Sequence, residues 1–191
     1  FGYGYRTSIF ALNFNIYNTD WRNKPFTGSV ITEAEEVGTY NVTGMTSRHR
    51  GIELDFAWKI SNAFKYEFIS SIQDNEWTSA DTMFVYINQV LKAQYAYDPK
   101  GMDVGDSPQT QIGSSISYNY KLNNDFRGYI KLKGMFFDRF KADFDPFEVD
   151  ENKTVWSLPS YTSFSLHMGN NLYFDNSSLH FKFNILNLFN T

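Results

Sequence analysis

Cysteine is absent from this 191-residue chain, which excludes disulfides and thiolate metal sites within it and suits a bacterial envelope protein. Positive charge is not in excess. The formal net charge is −4, so the basic footprint of a nucleic-acid binder is missing and no nucleic-acid partner is expected. No apolar run reaches the roughly 18 residues that a membrane-crossing helix needs. A Gly-rich phosphate loop, a G-x-S-x-G elbow and an H-E-x-x-H pair are all missing. The chain is therefore expected to be no enzyme and to carry no cofactor. It starts at Phe1 without a charged-then-apolar leader, so any targeting segment is expected to lie outside it.

Aromatic residues are abundant. Phe, Tyr and Trp make up 19% of the chain, with 19 Phe, 13 Tyr and 4 Trp, and strands and membrane interfaces are where such residues concentrate. The clearest pattern lies in Gly51–Gln73. Ile52, Leu54, Phe56, Trp58 and Ile60 fall at every second position, with Glu53, Asp55, Ala57 and Lys59 between them. After Ser61-Asn62-Ala63 the alternation resumes, with Phe64, Tyr66, Phe68 and Ile72 opposite Lys65, Glu67, Ser71 and Gln73. Period 2 predicts two amphipathic strands joined by a hairpin turn. Each arm has the roughly 9–11 residues that a tilted strand needs to cross a bilayer.

The same alternation predicts strands over Ile9–Tyr17, Thr110–Tyr120, Phe126–Phe137, Tyr161–Phe174 and Leu179–Ile185, with Phe1–Arg6 as a strand stub turned at Thr7 and Ser8. From Ile9 onward the connections alternate long and short. The long ones are Asn18–Arg48, with the acidic patch Glu33-Ala34-Glu35-Glu36, then Asp74–Gln109 and Asp138–Ser160. Within the second, Ser79–Leu91 fits a short helix or an extra strand equally well. Asp98-Pro99-Lys100-Gly101 and Gly105-Asp106-Ser107-Pro108 are turn sequences.

Three features combine. No predicted apolar face carries a charge, since Glu53, Asp55, Lys59, Lys65, Glu67, Arg127, Lys131, Lys133 and Lys182 all fall opposite. Long and short connections alternate, as outer-membrane barrels do. Aromatics gather at both strand ends: Trp58, Phe64, Tyr66, Tyr118, Tyr120, Phe126 and Tyr173 near the short turns, Tyr17, Trp21, Trp77, Phe136, Phe137 and Tyr161 near the long connections. Two girdles at opposite ends are what two bilayer interfaces select. The expected fold class is all-β, an antiparallel transmembrane β-barrel. Seven strands and a stub do not finish a barrel with an even strand count, so the chain is expected to be part of a larger one.

On these segments the chain resembles the C-terminal part of the barrel of TonB-dependent outer-membrane receptors. Phe1-Gly2-Tyr3-Gly4-Tyr5, before a strand ending Tyr17-Asn18-Thr19-Asp20-Trp21, resembles that family's E-x-G-Y region. His49-Arg50-Gly51-Ile52-Glu53 is similar to its H-x-G-x-E strand start, and Gly105-Asp106-Ser107-Pro108-Gln109-Thr110 to a loop returning into a strand. Leu158-Pro159-Ser160-Tyr161 resembles the start of its antepenultimate strand. Asn184-Ile185-Leu186-Asn187-Leu188-Phe189-Asn190 resembles the N-L-F-N end of its penultimate strand. The resemblance covers residues 1–191 and implies a barrel of roughly 22 strands, with the plug domain, the TonB box and the closing strand outside this sequence. It implies active import of a scarce nutrient (metal chelate, cofactor, peptide or glycan) across the bacterial outer membrane, as a multi-pass protein. The implied partners are TonB with its inner-membrane motor, outer-membrane lipid and lipopolysaccharide, the small nutrient ligand and, in one branch, a surface lipoprotein. Alternatives are another outer-membrane barrel, porin or enzyme, and a secreted soluble β-rich binding module.

No single ligand-binding residue is assigned. The long segments Arg22–Arg48, Asp74–Gln109 and Asp138–Ser160 are where ligand contacts are expected. His167 and His180 share a face on adjacent strands and read first as hydrogen-bonded wall residues, then as metal ligands. His49 reads as a turn residue at a loop–strand boundary. The carboxylates of Asp143–Glu151 are a cation-binding candidate without EF-hand spacing, so a solvated acidic loop is favoured and no metal site is assigned. Glu53, Asp55 and Glu67 read as partners for basic wall residues or for the plug rather than as an acid/base pair. Asn41-Val42-Thr43 and Asn152-Lys153-Thr154 fit the glycosylation pattern, which carries no meaning in a bacterial envelope.

Overall fold

The computed structural model describes residues 1–31, 35–142, 147, 153 and 155–189. Among them there is no helix; the regular structure is antiparallel β throughout. Eight strands form a meander: β1 (Gly2–Arg6), β2 (Phe10–Ile31), β3 (Val37–Lys59), β4 (Phe64–Trp77), β7 (Ser107–Lys121), β8 (Phe126–Lys141), β10 (Tyr161–Phe174) and β11 (Ser177–Ile185). A hairpin of β5 (Asp81–Ile87) and β6 (Val90–Tyr97) branches from it, and the two-residue β9 (Ser157–Leu158) lies against β8. The sheet is open, with β1 and β11 as its edges, and does not close into a barrel.

The strand registers place the predicted apolar positions on one face. Phe10, Leu12, Phe14 and Ile16 lie opposite Trp58, Phe56, Leu54 and Ile52, and these rows continue into Tyr66, Phe68, Ser70 and Ile72. They run on through Ile116–Leu132–Leu166–Ile185 and Tyr118–Ile130–Met168–Phe183. Every predicted wall charge falls on the other face. A one-residue slip would carry Arg127, Lys131 and Lys133 together onto the apolar side, so the register is strongly determined. Five rows pair an aromatic ring with a glycine across the strands: Tyr40 with Gly28, Tyr17 with Gly51, Tyr120 with Gly128, Tyr129 with Gly169 and Phe164 with Gly134. A Cβ at Gly51 would lie 2.7 Å from the Tyr17 hydroxyl, so the ring occupies the space the missing side chain leaves.

The long connections differ from the expectation of irregular loops. Asn18–Arg48 is largely a continuation of β2 and β3, paired out to Ile31↔Val37 across bulges near Lys24. In Asp74–Gln109 the undecided stretch Ser79–Leu91 resolves into strands, and β5 docks on the outer part of β3 through Gly38↔Ile87 to Val42↔Met83. The reason is local. Tyr40 and Val42 alternate with Thr39, Asn41 and Thr43, and Met83, Val85 and Ile87 fall at every second position of β5, so the two hairpins bury those faces together.

The core therefore sits at the long-connection end. Tyr40, Val42, Met45, Trp77, Met83, Val85, Tyr97 and Met102 form one buried cluster, with Phe26, Val30, Ala93, Val104 and Val155 packed on it. Among the described residues, no large apolar side chain is buried between the short turns and the Ile16–Ile52–Ile72 row. Ile130 and Leu132 are each 40% exposed, and Ile16, Ile52, Ile72, Ile116 and Phe183 on the same face are exposed as well. The apolar face is thus left open, whereas a water-soluble sheet packs such a face on a core.

Candidate functional site

The polar face carries the wall's charged chemistry. Glu67 projects from β4 between two lysines, receiving Lys65 Nζ at 2.5 Å on one oxygen and Lys131 Nζ at 2.7 Å on the other, with Ser115 Oγ donating at 3.3 Å. Asp55 accepts from Asn13 Nδ2 at 2.7 Å and Glu53 from Asn15 Nδ2 at 3.4 Å. The carboxylates are thus spread over separate partners, with Glu67 on basic wall residues and Glu53 and Asp55 on amides.

His167 and His180 do share this face, but the register keeps them apart. His167 pairs with Asn184 and His180 with Asn171, four positions along β10, or roughly 13 Å at strand rise. Each ring bonds the asparagine across from it, His167 Nδ1 at 2.8 Å and His180 Nδ1 at 2.5 Å. They are hydrogen-bonded strand residues. No group of three or more metal-ligating side chains occurs among the described residues. The Asp143–Glu151 candidate lies, apart from Phe147, outside the described residues.

The expected upper girdle is corrected. Tyr17, Trp21, Trp77, Phe137 and Tyr161 lie on the polar face, and of that set Phe136 alone is on the apolar face. Tyr173 of the lower set is also on the polar face, beside Arg127. Parity is the cause: these residues are an odd number of positions from the apolar rows. The remaining lower set does form an apolar-face belt, with Phe64–Tyr118 at 4.8 Å, Tyr118–Tyr120 at 6.1 Å and Tyr120–Phe126 at 6.2 Å between ring centroids.

The displaced aromatics build a cluster at the inner edge of the long connections. Lys24 Nζ lies 5.6 Å from the exposed Trp21 ring and 4.9 Å from the buried Trp77 ring. His49 packs 5.3 Å from Trp21, with Nε2 3.0 Å from Ser47 Oγ. Burial and then the nearby Lys24 ammonium hold the His49 pKa below its usual value, against a hydrogen bond with Asn75. His49 is no turn residue. It sits within β3, opposite Thr19 and Asn75. An aromatic and cationic surface of this kind suits a ligand with π or anionic character.

Below it, β4 and β7 part after Ile72↔Thr110, and side chains replace the ladder. Buried Gln109 accepts the Asn75 N–H at 3.2 Å and donates to the Asn75 carbonyl at 3.3 Å. Gln73 donates to the Pro108 carbonyl at 3.0 Å. Arg139, in a left-handed conformation at φ 53°, donates to the Gln73 and Gln109 carbonyls and to Thr110 Oγ1. On the apolar-face side the rows end in charge: Arg48 with Asp20 and Glu76, and Arg50 with Asp74, stand above Ile16, Ile52 and Ile72.

Sequence reasoning missed this stitched seam, since an isolated glutamine in a turn-rich stretch carries no periodic signal. It found Trp21 and Trp77 at the long-connection strand ends, as part of an expected girdle, without their facing. Comparisons with protein-family models, curated proteins and solved structures give no match.

Proposed function

We propose that this chain is part of the wall of a transmembrane β-barrel in the bacterial outer membrane, and that the barrel imports a scarce nutrient by TonB-dependent transport. One observation carries the membrane part. A continuous apolar face crosses eight antiparallel strands, stays open, and has no charge between the short turns and the Ile16–Ile52–Ile72 row among the described residues. In water, that area exposed would be an aggregation surface; against hydrocarbon it is satisfied, and the aromatic belt at the short turns and the ionic collar of Arg48 and Arg50 bound it. The transport part rests on the sequence resemblance. The aromatic cluster of Trp21, Lys24 and Trp77 belongs to the long-connection end, where such a receptor captures its ligand.

Environment-sensitive probes on β8 of the full-length protein in lipid test the membrane part. Probes at Ile130 and Leu132 are expected to report lipid, and probes at positions 131 and 133 to report water. One dry protein environment at all four positions would overturn it. Cross-linking of the full-length protein to TonB in energised cells tests the transport part, and a failure to cross-link under ligand-replete and ligand-starved growth would refute it.

A further inference from the structure

We propose that the polar face of β4, β7 and β8 holds a binding site for an oxyanion, the carboxylate or phosphate group of a solute in the lumen. The inference rests on the proposed barrel reading, with this stretch of the polar face meeting water beside the plug that the reading implies.

The site is a cleft of about 210 Å³ lined by Glu67, Ser115, Lys131, Lys133 and, at its apolar end, Ile69 and Met135. Its floor is Gly113. A Cβ there would come within 2.6 Å of Met135 Sδ and 2.7 Å of Ile69 Cγ1, so these two side chains fill the space above the glycine and close the apolar end of the cleft. Three lysines meet one carboxylate. Lys65 and Lys131 are on Glu67, whereas Lys133 has no carboxylate within ion-pair reach among the described residues. The cluster has a surplus of two positive charges, three lysines less one glutamate.

On the β4 side, β3 carries Glu53 and Asp55 on this face, each on an asparagine amide and three strands from Lys133, with Lys59 opposite Lys65; beyond β8 no strand supplies the missing charge. Along the polar rows of β10 and β11 lie His167, His180 and Lys182 and no carboxylate. Lys133 stands between Ser115 and Ser165 in the register, and Lys131 between Ser117 and His167. The two lysines are two positions apart on one face, roughly 7 Å, which an oxyanion bridges by accepting from both ammonium groups. Lys131 gives one N–H to Glu67 and retains two; Lys133 retains three. Glu67 demonstrates the chemistry, since this wall already holds one carboxylate between two lysines and a serine. It also acts as a built-in competitor. It occupies Lys131, so the site is tuned to bind and release rather than to retain its anion.

That competition gives the proposal a test with a sign. Acylation of lysines in the full-length protein, by a water-soluble amine reagent and read by mass spectrometry, is followed against inorganic phosphate and against citrate at constant ionic strength. Phosphate or citrate is expected to slow acylation at Lys133 and leave the rim residue Lys59 unchanged. Glu67→Gln is expected to tighten that protection roughly tenfold, because it frees one charge-assisted hydrogen bond on Lys131. Lys133→Met is expected to remove protection of Lys131. Equal slowing at Lys59 and Lys133, or Glu67→Gln weakening the protection, overturns the site. If Lys133 resists the reagent altogether, the water-filled reading of this face fails as well. If Lys133 reacts freely and neither anion protects it, the site alone fails.

Discussion

Substitution of Leu132 separates three environments for the apolar face. Leu132 lies near the middle of the apolar span of β8, between Ile116 and Leu166 across the strands, and is 40% exposed. Two replacements are informative together. If lipid covers it, Leu132→Lys costs about 2–4 kcal/mol at the midplane. Leu132→Phe is then nearly neutral, within about 0.5 kcal/mol, because lipid tails yield to a larger side chain. If a packed protein layer covers it, both substitutions destabilise, the phenylalanine by about 1–3 kcal/mol through overpacking. If water covers it, neither changes stability by more than about 0.5 kcal/mol. The assay is reversible urea unfolding of the full-length protein in lipid vesicles. Costly phenylalanine, or harmless lysine, would refute the reasoning behind the proposed wall.

Three further outcomes are expected. Gln109→Ala leaves the buried Asn75 N–H without its acceptor, while the Asn75 carbonyl keeps Val104 N at 2.9 Å. A loss of about 1–3 kcal/mol follows, read as faster hydrogen exchange at Asn75, and unchanged exchange would remove the seam's role. Because the folded His49 pKa is lowered, its contribution is present above the unfolded value of about 6.5 and is lost as pH falls through the lower folded value. Melting temperature is therefore expected to drop on acidification in the native protein and to drop less in His49→Gln; identical pH profiles would show that His49 is not responsible. Gly134→Val forces the Phe164 ring, 3.0 Å from an added Cβ, off its register partner. It is expected to destabilise the β8–β10 pair by about 1–3 kcal/mol in the same urea assay, and a neutral result would remove the ring–glycine pairing as a support.

The meander strands were legible because their period is 2 and their two faces differ in kind. Phe56 beside Asp55, and Leu132 beside Lys131, fix both strand and facing. The outer parts of β2 and β3 were not legible. There Thr27, Gly28, Ser29 and Val30 mix small and polar residues on both faces, and Pro25 and the bulge at Asn23 break the alternation. Pairing in that stretch is decided by β5, which is distant in sequence and covers Gly38–Val42. Aromatic girdles were misread for a related reason. Clustering at strand ends gives height along the strand but not facing, and facing turns on parity, which puts Trp21 with Ser47 rather than with Ile16. Of the candidate site, the shared face of Glu67, Lys65 and Lys131 followed from parity, but Glu53 and Asp55 meet asparagine amides rather than basic residues. The Glu67–Lys131 pair needed the β4–β7–β8 neighbourhood, which spans 64 residues of sequence.

The position of the core bears on the proposed function. Wall strands that meet hydrocarbon need no core of their own, because lipid takes the place of packed side chains. Segments beyond the membrane return to water and must bury apolar surface or stay disordered. The long-connection segments bury it: Val42 and Met45 of β3, Trp77 of β4, and Met83 and Val85 of β5 close on one another. Trp77 joins this core to the proposed capture surface, since its buried ring also lies beneath Lys24. Lys24 is therefore positioned by the same packing that stabilises the hairpins, and so is the Trp21 face beside it. A surface fixed before ligand arrives loses less conformational entropy on binding than one built from free loops. Trp77→Ala is accordingly expected to weaken ligand capture without Trp77 touching ligand, through Lys24 and Trp21 losing their shared support. Trp21→Ala would remove the exposed ring and leave the core intact, so the two variants differ in stability while agreeing in lost affinity. Urea unfolding and nutrient uptake by cells carrying each variant check this, and undiminished uptake with Trp77→Ala would detach the core from the capture surface.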